Sequence, residues 1–327
     1  MRIHITGMNP RMVSQRTRER VTFARALEQA LTEEHEVHRC PEDPGEAADL
    51  VLGGVASALS PASSYALVGL ETIGRAVDEE TPLLLYVDNP EMGTIQAAAR
   101  SVLREPDRLY SPYLMSKRVK QSRQLGKRQR KHVAMAVELL AGEEWPPVLV
   151  PMHPWGSPAL VAKRLGIVSD VVPIDVSAVV ELPAPVATPA SAPIWLTDTH
   201  YSRWQLEPGR VRWPVIPVDS ATLPDPATVY SVARGVHQGP IDRMPGWWTP
   251  TPLYVAHAGT VYLGDAEETR TIGVDTPYYL TPDDVEGLDD HQHQDLVDRQ
   301  AEYLQEVTWS SATLSSSLTD WIGRACS

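Results

Sequence analysis

Apolar residues recur along this chain in two alternating patterns, short unbroken or alternating runs and helical spacings of three and four. Met1 to Thr6 alternate as a strand does, and Gly7-Met8-Asn9-Pro10 follows as a turn. Residues 17 to 32 carry Val21, Ala24, Leu27, Ala30 and Leu31 at helical spacing, with a polar opposite face. His35 to Arg39 and Asp49 to Gly53 read as the next two strands, and Leu67 to Val77 as a helix. Pro82 to Val87 (PLLLYV) is a continuous apolar run, the pattern of a strand buried on both faces in a parallel sheet. Ile95 to Leu103 is helical, and residues 116 to 141 form a long basic helical stretch that turns apolar toward Leu139 and Leu140. Pro147 to Val150, Pro158 to Leu165 and Val168 to Ile174 read as strand, helix and strand. Strand and helix alternating in this way predict a doubly wound parallel sheet.

Residues 183 to 193 (PAPVATPASAP) are rich in Pro and Ala and carry no charge, the composition of a linker. After it the alternation restarts. Strands are expected at Ile194 to Leu196, Val215 to Val218, Val261 to Leu263 and Pro277 to Leu280. A short helix is expected over Ala227 to Ala233 and another starting at Leu253; one or two acidic helices fall within 283 to 306, and a last one over Ser311 to Ile322. No internal sequence repeat is visible. The fold class expected is α/β, with two Rossmann-like domains facing a central cleft. The domain reading is 1–182 for the first unit, 183–193 for the linker, 194–310 for the second, and 311–327 for a C-terminal helix packing back on the first. A cleft between two such units is a usual place for a ligand.

The length of 327 residues, with 43% hydrophobic and 22% charged residues, agrees with two ordinary globular units. The two cysteines, Cys40 and Cys326, build neither a disulfide framework nor a zinc site, and a reducing cytoplasmic setting is expected. No run is long enough to span a bilayer, and MRIHITGMNP reads as strand and turn rather than a signal peptide. Charge changes the picture more. The net charge of -13 argues against a nucleic-acid partner, yet residues 117 to 132 (KRVKQSRQLGKRQRKH) hold eight Lys/Arg and no acid. Asp283, Asp284, Glu286, Asp289, Asp290, Asp295 and Asp298 gather in the C-terminal quarter. Lys117, Arg118, Lys120, Arg123, Lys127, Arg128, Arg130 and Lys131 cover most of one helix surface, which points to an anionic partner such as a phosphate backbone. The alternative is a charged face that pairs with the acidic C-terminal helices.

Among residues that could carry chemistry, Asp88 follows PLLLYV directly, where a parallel strand opens into the ligand crevice. It is either a general base there or a cap of the turn before Pro90. Glu19 stands on the first turn of the first helix, where a carboxylate also suits the helix dipole. Arg203 follows the strand after the linker, and Arg210, Arg212, Arg234 and Arg243 come later; an arginine fork matches a diphosphate, although any one of them also fits a surface position. In GWWTPTPLYVAHAGTVYLGD (246–265), a Trp pair precedes a short helix, and Ala258-Gly259-Thr260 lets backbone approach a ligand or simply makes a packing turn beside a Trp core. There is no GxGxxG, no Walker A and no nucleophile elbow, and the scattered histidines form no metal site.

The order of these segments resembles that of GT-B glycosyltransferases, and within them the phage DNA β-glucosyltransferases that modify 5-hydroxymethylcytosine. The resemblance runs from the first strand and GMNPRMVSQRTRERVTFARAL through ADLVLGGVASAL, PLLLYVDNPEMG and VPMHPWGSPALVAKRLGIVSDVVPID to APIWLTDTHYSR and the 246–265 segment. It implies Asp88 as the catalytic aspartate and Glu19 as the glutamate near the acceptor. It further implies Arg203 and Arg243 at the donor diphosphate, and Trp248, Tyr254, Gly259 and Thr260 in the donor-binding helix and strand. The sequence departs from the family where a ribose-binding glutamate and a preceding arginine would fall, at Tyr254 and Thr251.

What the resemblance implies is a bacteriophage-type hexosyltransferase that takes a sugar from a UDP-sugar such as UDP-glucose, inverts it, and places it on a hydroxymethylated base flipped from double-stranded DNA. A divalent metal is neither implied nor excluded, no membrane is involved, and a monomer is expected. A GT-B transferase for a small-molecule acceptor and a non-catalytic nucleic-acid-binding protein of the same fold are the rival readings. A nucleotide-dependent kinase or reductase is disfavoured by the missing phosphate loops.

Overall fold

A computed structural model describes residues 1–7, 18–39, 47–55, 66–87, 95–104, 126–180, 182, 192–198, 211–218, 225–237, 246–264, 277–278 and 280–326, without the side chains of 18–22, 66, 67 and 198. The first sheet is built from β1 (Arg2–Ile5), β2 (Glu36–Arg39), β3 (Leu50–Gly54), β4 (Leu83–Tyr86), β5 (Val148–Pro151) and β6 (Val171–Ile174). Its helices are α1 (Arg18–Thr32), α2 (Ala66–Asp78), α3 (Ile95–Arg104), α4 (Lys127–Ala141) and α5 (Pro158–Leu165). The second sheet holds β7 (Ala192–Asp198), β8 (Val215–Val218), β9 (Ala233–His237) and β10 (Val261–Leu263), with α6 (Pro226–Tyr230) and α7 (Thr251–His257); α8 (Asp290–Val307) and α9 (Ser311–Ala325) close the chain.

All strand pairs within both sheets are parallel. The first sheet runs β2-β1-β3-β4-β5-β6 and the second β10-β9-β7-β8. Each sheet therefore sends its first strand's successor to one side and its third strand to the other. The same winding is used twice without sequence repetition, and the α/β class with two parallel sheets is as the pattern predicts.

Period-two alternation explains the PLLLYV run. Leu84 and Tyr86 enter a core with Ile3, Ile5, Leu27 and α9, while Leu85 and Val87 enter the opposite core with Leu70, Ile73, Val137 and Leu140. From α9, Leu314, Leu318, Trp321 and Ile322 join the first of these, so the end of the chain packs on the first sheet. The second sheet is covered likewise, by Leu196, Val236 and Tyr230 on one face and by Trp195, Leu263 and Leu296 on the other.

Two expectations fail in the second half. Pro277 and Tyr278 form a turn rather than a strand, because the Gln300 side-chain amide takes the Pro277 carbonyl at 2.6 Å and Tyr278 hydroxyl donates to Gln300 O at 2.8 Å. The missing strand is β9 (ARGVH), whose first residue was expected to end a helix. Its glycine hides it: Gly235 weakens the strand signal, yet a Cβ there would lie 2.0 Å from Trp195 Cζ3. β7 also opens at Ala192, inside the segment read as linker, of which 183–191 lies outside the described residues.

Candidate active site

In open parallel sheets, ligands collect outside the carboxyl ends of the strands where the winding reverses. For the first sheet that point lies between β1 and β3. Its floor is rigid. Thr6 N donates to Leu52 O at 2.9 Å, Gly54 N donates to Thr6 Oγ1 at 3.0 Å, and the Tyr86 hydroxyl donates to Thr6 O. Gly7 follows with φ +106°, in the left-handed region that favours glycine. Val87 is fully buried and its N–H donates to Leu149 O at 3.0 Å, which fixes the residue immediately before Asp88 at this carboxyl edge. Asp88 itself lies outside the described residues. Glu19 falls in the first turn of α1, and its side chain is likewise outside them.

The second switch point lies between β7 and β9. There the buried Thr197 hydroxyl and the half-buried His237 Nδ1 approach to 3.5 Å. Neither residue stood out in the sequence, because the strand that carries His237 was itself missed. Arg203, Arg210 and Arg243 lie outside the described residues. Arg234 pairs with Asp290 at 2.8 Å and lies over the Trp213 ring, 5.3 Å from its centroid. That guanidinium is thus engaged with α8 and an indole.

The carboxyl edge of the first sheet is joined to the stretch that leads into α7. Beyond β5, Met152 bridges Trp247 in antiparallel fashion, and His153 N donates to Gly246 O at 2.7 Å. Trp248 N donates to Pro151 O at 3.2 Å, and Thr249 N donates to His153 Nε2 at 3.2 Å. The His153 ring stacks on Trp155 at 4.2 Å, and Trp155 stacks on Tyr278 at 4.7 Å, so rings continue from one half into the other. Burial drives the His153 pKa down to about 3, with the Thr249 amide opposing. A histidine that looks isolated in the sequence is therefore a neutral acceptor at the junction.

The residues assigned to the donor by resemblance are dispersed. Trp248 is buried in the core of the first sheet, and its Nε1 donates to Asp175 Oδ1 at 3.1 Å and to Ser177 Oγ at 3.0 Å. Its indole lies near Phe23 at 5.9 Å and His153 at 6.1 Å, ring centroid to ring centroid. Tyr254 is half-buried on α7, against the Leu196–Val236 core. Gly259 has φ +66° just beyond that helix, and Thr260 is buried with its hydroxyl donating to Ala233 O at 2.7 Å. The Ala-Gly-Thr turn thus closes a helix and ties it to β9.

The basic stretch divides. Lys117, Arg118, Lys120 and Arg123 lie outside the described residues. Lys127 and Arg130 are exposed on α4. Arg128 pairs with Glu79 at 3.0 Å, Lys131 pairs with Asp78, and the buried His132 Nε2 meets Asp78 at 3.2 Å. Their partners belong to α2 and the residue after it, not to the acidic C-terminal helices. Among the described residues no group of three His, Cys, Asp or Glu gathers as metal ligands, and no helix is long and apolar enough to cross a membrane.

No family model matches this sequence, and no curated protein matches it. Among the solved structures that resemble it are two that do so over nearly the whole length at low identity. The glycotransferase of kitacinnamycin is 11% identical with a TM-score of 0.41, covering 99% of this chain and 98% of its own. An alpha-glucosyltransferase in complex with UDP and a 13-mer DNA containing an HMU base is 9% identical with a TM-score of 0.42, covering 99% of both chains.

Proposed function

We propose that the protein is a glycosyltransferase that moves a sugar from a UDP-sugar to a hydroxymethylated pyrimidine of duplex DNA, 5-hydroxymethylcytosine first among them. One observation carries the reading: there are two parallel sheets with the same switch-point winding, and the stretch that leads into α7 of the second is joined to the carboxyl edge of the first through Met152 and Trp247. Such an arrangement gives a donor and an acceptor one crevice to share. Val87 is fixed at the carboxyl edge of the first sheet, and Asp88, which follows it in the sequence, would take the acceptor hydroxyl proton as the oxygen bonds to the anomeric carbon. The bond from that carbon to UDP breaks, with inversion, and Arg203 and Arg243 would stabilise the departing diphosphate. The cations from Lys117 to Lys131 would hold the DNA backbone by its phosphates rather than its bases.

A second reading, transfer to a small-molecule acceptor, is favoured by the ion pairs of Arg128 and Lys131, which turn part of the basic run toward α2. The test is transfer of label from a panel of UDP-sugars to duplex DNA carrying 5-hydroxymethylcytosine or the HMU base, with unmodified duplex as control. Label on modified DNA alone is expected. Slow UDP-sugar hydrolysis with no DNA label moves the acceptor to a small molecule, and neither hydrolysis nor transfer overturns the glycosyltransferase reading.

A further inference from the structure

The basic run and the helix it meets enclose a second site, away from the crevice. A cavity of about 360 Å³ lies between α2 and α4. Ala47, Ala48 and Thr81, which line it, immediately precede β3 and β4, so it opens at the amino edge of the first sheet. Its wall carries three cationic or donor groups, Arg75, Arg128 and His132, and three acceptors, Glu71, Glu79 and Gln129. Arg75 is half-buried and makes no side-chain ion pair with a described residue. Arg128 gives one Nη to Glu79 and retains further N–H groups of its fork. His132 is 3% exposed in its side chain; Nε2 faces Asp78, while Nδ1 has no hydrogen-bond partner and Glu71 Oε1 stands 3.6 Å away. A buried imidazole nitrogen left unbonded costs free energy that a ligand group would recover.

We infer that this cavity binds a small phosphorylated polyol, of the sugar-phosphate class. The guanidinium of Arg75, with Arg128 beside it, matches a phosphate group. The carboxylates of Glu71 and Glu79 accept from hydroxyls, and the Gln129 amide and His132 Nδ1 complete a polar lining suited to a ring bearing several of them. A nucleic-acid backbone fits less well, because Glu71 and Glu79 stand on the same wall and would repel a continuous row of phosphates.

The test is calorimetric titration of the full chain with glucose 6-phosphate, glucose and inorganic phosphate. Glucose 6-phosphate is expected to bind, with each simpler probe at least about tenfold weaker. Arg75→Gln should weaken glucose 6-phosphate about tenfold or more, and Arg75→Lys less. Glu71→Gln should weaken glucose 6-phosphate and leave phosphate unchanged. Thermal melts check that each variant stays folded, and His132→Gln supplies an independent variant should Glu71→Gln unfold. Four outcomes overturn the site as proposed: no binding of any probe, equal binding of inorganic phosphate, binding unchanged in Arg75→Gln and His132→Gln, or displacement by a short DNA duplex with the same Arg75 dependence. Because the readout is binding at the amino edge, it stands or falls separately from sugar transfer at the crevice.

Discussion

Trp248 Nε1 donates to Asp175 Oδ1 across 3.1 Å, tying the segment that leads into α7 to the residue just after β6. The same carboxylate accepts from Ser177 N at 2.9 Å, from the Ser177 hydroxyl, and from Trp309 N at 3.1 Å, just ahead of α9. The stretch after β6, the stretch before α7 and the stretch before α9 therefore meet on one buried acid. Burial pushes the Asp175 pKa up, and these donors pull it back down. Asp175→Asn places an amide N–H₂ among groups that already donate. The expected loss is about 2–4 kcal/mol, read as a lowered urea midpoint. An unchanged midpoint would remove Asp175 as the clasp.

His153 gives the fold a pH dependence. Its folded pKa of about 3 lies below the ordinary 6.5, so the unfolded chain binds a proton that the folded chain refuses. Its contribution is fully present above pH 6.5, declines as the pH falls, and is gone near pH 3. At ~1.4 kcal/mol per unit, about 2 kcal/mol disappears between pH 6.5 and 5. His153→Gln keeps an acceptor for Thr249 N and should flatten that slope. Parallel stability curves for the two proteins would show that another group sets it.

At the same junction Gly246 adopts φ +78°, and a Cβ on it would lie 2.0 Å from Gly156 Cα. Neither backbone can yield without separating the Met152–Trp247 bridge. Gly246→Ala should lose about 2–4 kcal/mol, whereas Gly287→Ala, with nothing within 4 Å, should stay within about 0.5. Equal melting temperatures would contradict the close approach.

Salt dependence separates the two halves of the α4 cations. If duplex DNA is a partner, each phosphate contact contributes about 0.9 to the slope of log affinity against log salt. Replacing Lys127 and Arg130 together by Gln should lower that slope by up to about 2. Replacing Arg128 and Lys131, already paired with Glu79 and Asp78, should change it little. The reverse ranking would mean those ion pairs open onto DNA.

What the sequence made legible was what depends on neighbours along the chain. Pro82 to Val87 reads as a doubly buried strand because each successive side chain enters an opposite core. The apolar spacing of α9 is likewise local. What stayed hidden depends on partners far away. Arg128 and Glu79 are 49 positions apart, and no pattern in either segment announces the pair. β9 looks like a loop because Gly235 answers to the Trp195 ring from another strand. The Trp pair at 247 and 248 invites a ligand-binding reading, and only the tertiary fold reveals that each indole enters a different face of the first sheet's core.

Asp88, proposed above as the general base, gives the sharpest kinetic prediction. Val87, its neighbour, is held at the carboxyl edge of β4 by its bond to Leu149 O, one strand from the floor formed by Thr6 and Gly54. A general base there acts on the acceptor proton and not on the donor diphosphate. Asp88→Asn keeps the side chain's size and removes its basicity. Turnover should fall by at least about 10²-fold, the usual scale for general-base loss, while UDP binding stays within a few-fold of the parent. Single-turnover transfer and calorimetric titration of UDP measure the two quantities separately. Lost UDP binding would put Asp88 at the donor instead. Full turnover would leave it the cap of the turn before Pro90, with the base to be sought elsewhere in the crevice.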